Sequence, residues 1–207
     1  MITILCGKSG SGKDTLLSHL VDTGLYQPLG SERADDYAVK KKELVTILDM
    51  KGAQDYITAY GRENCFVVML ELADDIRKER AMKRGSFDET EWNRRLEDDA
   101  VKFSDEATEN IVNFRLKNDT DIEELGYRLD DALVAYEQYI DSKAVKQEQI
   151  TEQLICYEDY TFYHIDEEPS ITYKVMPKGA YDAMIEYEEQ ALQSFQTGKK
   201  GKHNIER

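Results

Sequence analysis

Cysteine is scarce and scattered in this chain. Cys6, Cys65 and Cys156 are odd in number and far apart, with no metal-ligand spacing. That excludes a disulfide framework and a thiolate zinc site, and it fits a reducing cytoplasm in which cysteines serve as small core residues. Long apolar runs are also absent. No stretch approaches the ~18 residues that cross a bilayer, and none has the pattern of a secretory signal, so no membrane partner is expected. Positive charge is in deficit: 27 Lys and Arg stand against 42 Asp and Glu, a formal net charge of −15. A duplex-binding face is net basic, so nucleic acid is not expected as a partner either. His19 and His203 have no ligand-like neighbours in the sequence, so no histidine metal site is expected.

The charge deficit makes one local feature stand out. Gly7-Lys8-Ser9-Gly10-Ser11-Gly12-Lys13 follows the apolar run Ile2–Cys6 and precedes apolar residues at helical spacing, Leu16, Leu17, Leu20 and Val21. Strand, glycine loop and helix form the context in which G-x-x-x-x-G-K binds phosphate. Glycines let several backbone N–H groups converge on one anion, and the helix N-terminus adds its dipole. Lys13 supplies a point charge for the terminal phosphates. The residue after the lysine is Asp14 where Ser or Thr is common, and Thr15 follows. Either has an oxygen suited to Mg2+, and an aspartate also stabilises a first helical turn.

Strands and helices alternate to about residue 140. Buried strands are predicted at Ile2–Cys6, Leu44–Asp49 and Cys65–Leu70, with another over Asn110–Leu116 and a short one at Leu25–Leu29. Helices are predicted over Gly52–Tyr60, from an Asp74 or Asp75 cap to Gly85, over Thr90–Phe103, and from the Asp121 cap through Ile140. The pattern predicts an α/β chain of the P-loop NTPase fold: a parallel sheet with helices on both faces. Ligands of such a sheet sit at the carboxyl ends of its strands. Asp49 ends one strand there, as a magnesium-shell or substrate-orienting carboxylate or as a helix cap. Arg77, Arg80, Arg84, Arg94 and Arg95 cluster around the polar stretch 85–90. They form either a phosphoryl clamp on a hinged lid or a solvated face with pairs such as Arg95 and Asp99.

The order of these motifs resembles guanylate kinase over roughly residues 1–140. The loop Gly7–Lys13, the run Val45-Thr46-Ile47-Leu48-Asp49-Met50-Lys51-Gly52-Ala53, the segment Arg80 to Gly85 with Asn93-Arg94-Arg95-Leu96, and Ile111 to Asp119 each match a family motif in sequence order. The resemblance implies ATP and Mg2+ as cofactors and a nucleoside monophosphate as the small-molecule partner. Gly7, Lys8, Ser9, Gly10, Ser11, Gly12 and Lys13 would hold the ATP phosphates, with Asp14 or Thr15 at the metal and Asn118 near the base. Arg80, Arg84 and Arg95 would clamp the transferring group alongside Lys13. The family's monophosphate-binding lobe is shortened here, leaving Arg33, Tyr37 and Asp49 as acceptor-side candidates and no recognisable guanine pocket. Two other functions stay open: a silent nucleotide-binding module, and a kinase for another small phosphorylated acceptor.

Beyond the resemblance, three segments are expected: a kinase core over 1–144, an α+β extension over 145–197, and a basic tail without structure over 198–207. Tyr157–Tyr163 and Ile171–Val175 predict a hairpin, and Pro177 a helix start. The extension is expected to fold over the cleft and wall the acceptor.

Overall fold

The computed structural model describes residues 1–28, 43–85, 87–146, 148, 150, 152–161 and 169–202. The first strand, β1 (Ile2–Cys6), is buried at every position and leads through the glycine loop into α1 (Lys13–Asp22). β2 (Tyr26–Pro28) and β3 (Glu43–Ile47) follow, then α2 (Met50–Tyr60), β4 (Cys65–Glu71), α3 (Asp74–Lys83) and α4 (Glu89–Lys102). A short turn of helix, α5 (Asp105–Thr108), precedes β5 (Phe114–Lys117) and the long α6 (Ile122–Val145). The sheet order is β2-β3-β1-β4-β5, with every neighbouring pair parallel.

Continuous apolar runs become strands buried on both faces because successive side chains point to opposite sides. In β1, Leu5 faces α1 and α6, while Ile4 and Cys6 face α2. In β4, Phe66, Val68 and Leu70 take the first side, and Cys65, Val67 and Met69 the second. Leu16, Leu20, Leu125, Leu129 and Leu133 close one face; Met50, Ala53 and Ile57 close the other. All three cysteines are free and buried. This places the loop after β1 at the centre of the sheet's carboxyl edge.

Element ends differ from expectation by small amounts with local causes. Asp121 caps α6 by accepting the Glu124 N–H at 2.9 Å. Asp88 starts α4 in the same way, from the Glu91 N–H at 2.7 Å. Neither Asp74 nor Asp75 caps α3: Ala73 holds the cap position, and Asp74 turns to Arg77 instead.

The extension corrects a larger expectation. β6 (Leu154–Thr161) and β7 (Ser170–Pro177) form an antiparallel hairpin, followed by α7 (Lys178–Lys202). Among the described residues, none of the hairpin lines the cavity beside Ser9 and Gly10. The hairpin lies along β5 and against α6, at the opposite edge of the sheet from β2. Leu154 and Cys156 enter the same apolar cluster as α1 and α6. Tyr173 meets Phe114 edge-on at 5.7 Å. Buried Asn113 stitches the two parts together: its Oδ1 accepts the Val67 N–H at 2.9 Å and its Nδ2 donates to the Leu154 carbonyl at 2.8 Å. The physical reason is that the exposed flank of β5 and the apolar side of α6 need cover, and the alternating residues of β6 and β7 provide it. The basic stretch from Gly198, expected to lack structure, continues α7 as far as Lys202.

Candidate phosphate-binding site

The loop between β1 and α1 is pressed against the ends of two other strands. Gly7 has φ +141°, and a Cβ there would lie 2.5 Å from the Leu70 carbonyl oxygen of β4. Gly12 has φ +104°, and its Cβ would lie 2.4 Å from Asn118 Nδ2. Both positions therefore require glycine for backbone conformation and for space. Asn118, just past β5, donates to the Ser11 carbonyl at 2.7 Å. Ser9 and Gly10 form the tip of the loop, and Lys8 flanks it.

Lys13 is the first residue of α1. Its Nζ donates to the Gly7 carbonyl at 2.7 Å and to the Lys8 carbonyl at 3.0 Å, so its ammonium lies across the loop's own concavity. Burial pushes its pKa down, against the opposing pull of Asp14 and Asp99. An anion in the loop would restore what burial removes, because an opposite charge favours the protonated amine. The N–H groups of the first turn of α1 and its dipole face the same place. Asp14 and Thr15 are exposed in that first turn, and neither side chain makes a hydrogen bond among the described residues. A free carboxylate and a free hydroxyl beside a phosphate loop are a hard-oxygen set that fits Mg2+.

α3 and α4 rise on the far side of the loop tip. Arg80 Nη1 comes within 3.6 Å of the place a Gly12 Cβ would take. Arg84 and Arg95 line a cavity of about 170 Å3 together with Ser9, Gly10, Ala81 and Trp92. The side chains of Arg80 and Arg84 make no ion pair or hydrogen bond among the described residues. Arg95 donates to Glu91 at 2.7 Å and reaches Ser9 Oγ at 3.4 Å. The alternative pairing of Arg95 with Asp99 is not formed. Arg94 points outward to Glu91 and Asp98, away from the loop. Hydrogen bonds from Arg94 and Arg95 hold the Glu91 carboxyl down at about 2.

Asp49 sits at the end of β3 and caps α2, accepting the Gly52 N–H at 2.8 Å. Arg33 and Tyr37 lie outside the described residues. Two residues do something the sequence did not indicate: Arg77, expected only as one of the arginine cluster, and Asp99, expected only as a partner of Arg95, both bond the loop. Arg77 is fully buried and donates to the Ser9 carbonyl at 2.7 Å, while Asp99 accepts the Ser9 N–H at 3.1 Å. The available signal was periodicity, since Arg77 stands two helical turns before Arg84 and Asp99 one turn after Arg95.

Strand order and loop together define the class: an α/β chain of the P-loop NTPase fold, with the glycine loop after its central strand. No family model matches the chain, and no curated protein sequence matches it. Among solved structures, a gluconokinase from Sinorhizobium meliloti 1021 is similar with a TM-score of 0.47 and 14% identity, over 71% of this chain and 97% of that one. Shikimate kinase from Acinetobacter baumannii aligns with a TM-score of 0.44 and 13% identity, over 64% and 92%. Guanylate kinase from Anaplasma phagocytophilum gives 0.44 and 13%, over 66% and 86%. These likenesses are too distant to add to the class that the strand order and the loop define.

Proposed function

We propose that the protein transfers the γ-phosphoryl group of ATP to a nucleoside or deoxynucleoside monophosphate. The observation that carries this reading is the pairing of the loop with arginines on the opposite side. Lys13 and the loop amides address one end of a triphosphate, and Arg84 and Arg95 face the loop tip across a small cavity. Phosphoryl transfer needs little covalent chemistry from the protein, and catalysis is positioning plus charge stabilisation. Arg80 and Arg84, whose side chains are unpaired among the described residues, are donors held ready for an anionic group. A silent binding module would have no need of Arg80 and Arg84 kept free of acidic partners among the described residues of so acidic a chain.

Each residue then has a task. Gly7 to Gly12 shape the loop around the β- and γ-phosphates, and Lys13 neutralises them. Asp14 and Thr15 are the residues that would hold Mg2+, which when bound offsets charge between the phosphates. Arg80, Arg84 and Arg95 meet the charge that spreads over the transferring group. Asn118 holds the loop backbone beside the base end. Arg33, Tyr37 and Asp49 belong on the acceptor side. The test is a coupled ADP-release assay across ribo- and deoxyribonucleoside monophosphates. Magnesium-dependent release with at least one of them supports the reading; ATP binding with no transfer to any of them favours the silent module.

A further inference from the structure

A buried ion pair grips the tip of the glycine loop from α3 and α4, the two lid helices, which carry the proposed clamp. Ser9 offers two main-chain groups, and both go to the same pair. Its carbonyl accepts from Arg77 Nε at 2.7 Å, and its N–H donates to Asp99 Oδ2 at 3.1 Å. Arg77 Nη2 bonds that same Asp99 oxygen at 2.5 Å, and Nη1 bonds Asp74 at 2.6 Å. The guanidinium is fully buried and lies 5.4 Å from the centre of the Trp92 ring. Asp99 is also buried.

Helical geometry turns this grip into aim. Arg77 is on α3, and Arg84 lies two turns further along the same face. Asp99 is on α4, and Arg95 lies one turn earlier on its face. Fixing Arg77 and Asp99 on Ser9 therefore fixes where Arg84 and Arg95 point, which is into the cavity above Ser9 and Gly10. The geometry points to Arg77 and Asp99 as positioning residues that register both lid helices on the phosphate loop and so set the phosphoryl clamp. This rests on the phosphoryl-transfer reading above.

A structural role alone is separable from this. A buried ion pair contributes little net stability compared with apolar residues of similar volume, whereas removing one partner leaves an uncompensated charge. The double variant Arg77→Met/Asp99→Leu is therefore expected to fold, with unchanged circular dichroism, while losing the grip on Ser9. Arg77→Lys is the second variant. It keeps the charge opposite Asp99, but one ammonium cannot span Ser9, Asp74 and Asp99 as the guanidinium does.

The readout needs no acceptor. Calorimetry measures Mg-ADP binding to the full-length protein with and without aluminium fluoride, a planar anionic stand-in for the transferring phosphoryl group. Transition-state mimics bind more tightly than ground-state ligands where a clamp is in register. The wild-type protein is expected to gain affinity for ADP when fluoride is present. In both variants the ratio of ADP affinity with fluoride to affinity without it should fall about tenfold or more. An undiminished gain in Arg77→Lys and in a folded double variant overturns the inference, as does a wild-type protein with no gain. A wild-type protein that binds no nucleotide overturns the phosphate-loop reading itself, a distinct result.

Discussion

Asn118 donates its side-chain amide to the carbonyl of Ser11, 107 positions away in the chain, at 2.7 Å. The bond joins the end of β5 to the phosphate loop and brings Asn118 against Gly12. Asn118→Asp exchanges the donor for a carboxylate facing a carbonyl and adjoining the phosphates. ATP affinity should fall by about tenfold or more, since a lost bond and a like charge act together. Titration calorimetry checks this, and affinity within about twofold of wild type would detach Asn118 from the loop's function.

Lys13 carries the charge in the loop. Lys13→Ala removes the ammonium but leaves the core untouched, because its Nζ bonds only loop carbonyls. Mg-ATP binding should weaken strongly and transfer should stop, with the thermal transition within a few degrees of wild type. Undiminished turnover by this variant removes the loop from the mechanism.

The arginines proposed as a clamp should behave differently. Contacts that strengthen in the transition state affect turnover more than affinity. Arg84→Ala and Arg95→Ala should each lower kcat by up to the order of 10³-fold, with ATP affinity little changed. Less than about a threefold change at both positions would return these arginines to the solvated surface.

Glu91 reports on the same helix by its acidity. Its carboxyl lies at about 2 rather than the ordinary 4.5, held down first by Arg94 and then by Arg95. A folded-state value below the unfolded one stabilises above the ordinary value, and that contribution fades as pH falls from there towards 2. NMR titration should find the depressed midpoint in the wild-type protein and a rise towards the ordinary range in Arg94→Ala. An ordinary midpoint in the wild type would contradict the pairing.

The hairpin belongs to the core, so its removal should act on folding first. Asn113→Ala leaves the Val67 N–H and the Leu154 carbonyl without their partner. A loss of about 2–3 kcal/mol is expected, seen as a lower urea midpoint with an unchanged m-value. Truncation near residue 145 also strips Leu154 and Cys156 from the main cluster and should destabilise the whole sheet. A truncated chain with an unaltered midpoint would make the hairpin an appendage.

Much of this was legible in the sequence where the signal is local. The apolar runs of β1 and β4, the glycine loop and the Asp121 cap each declare themselves within a few residues. Arg84 and Arg95 stand near each other in the chain, and both line the cavity beside Ser9 and Gly10; their part in a clamp is the proposal. The grip of Arg77 and Asp99 on Ser9 was not legible, because it joins three segments far apart in the chain and looks like ordinary surface charge on each. Asp49 reads as a site carboxylate or as a cap, and the Gly52 bond shows that it caps α2. The hairpin's destination depended on which sheet edge lacked cover, which composition does not state.

Coupled ADP release, measured with wild-type protein and Lys13→Ala across nucleoside and deoxynucleoside monophosphates, tests the central claim most directly. Magnesium-dependent release with at least one acceptor, absent in Lys13→Ala, is the expected result. Tight ATP binding by the wild type with no release above the acceptor-free rate for any of them would contradict it.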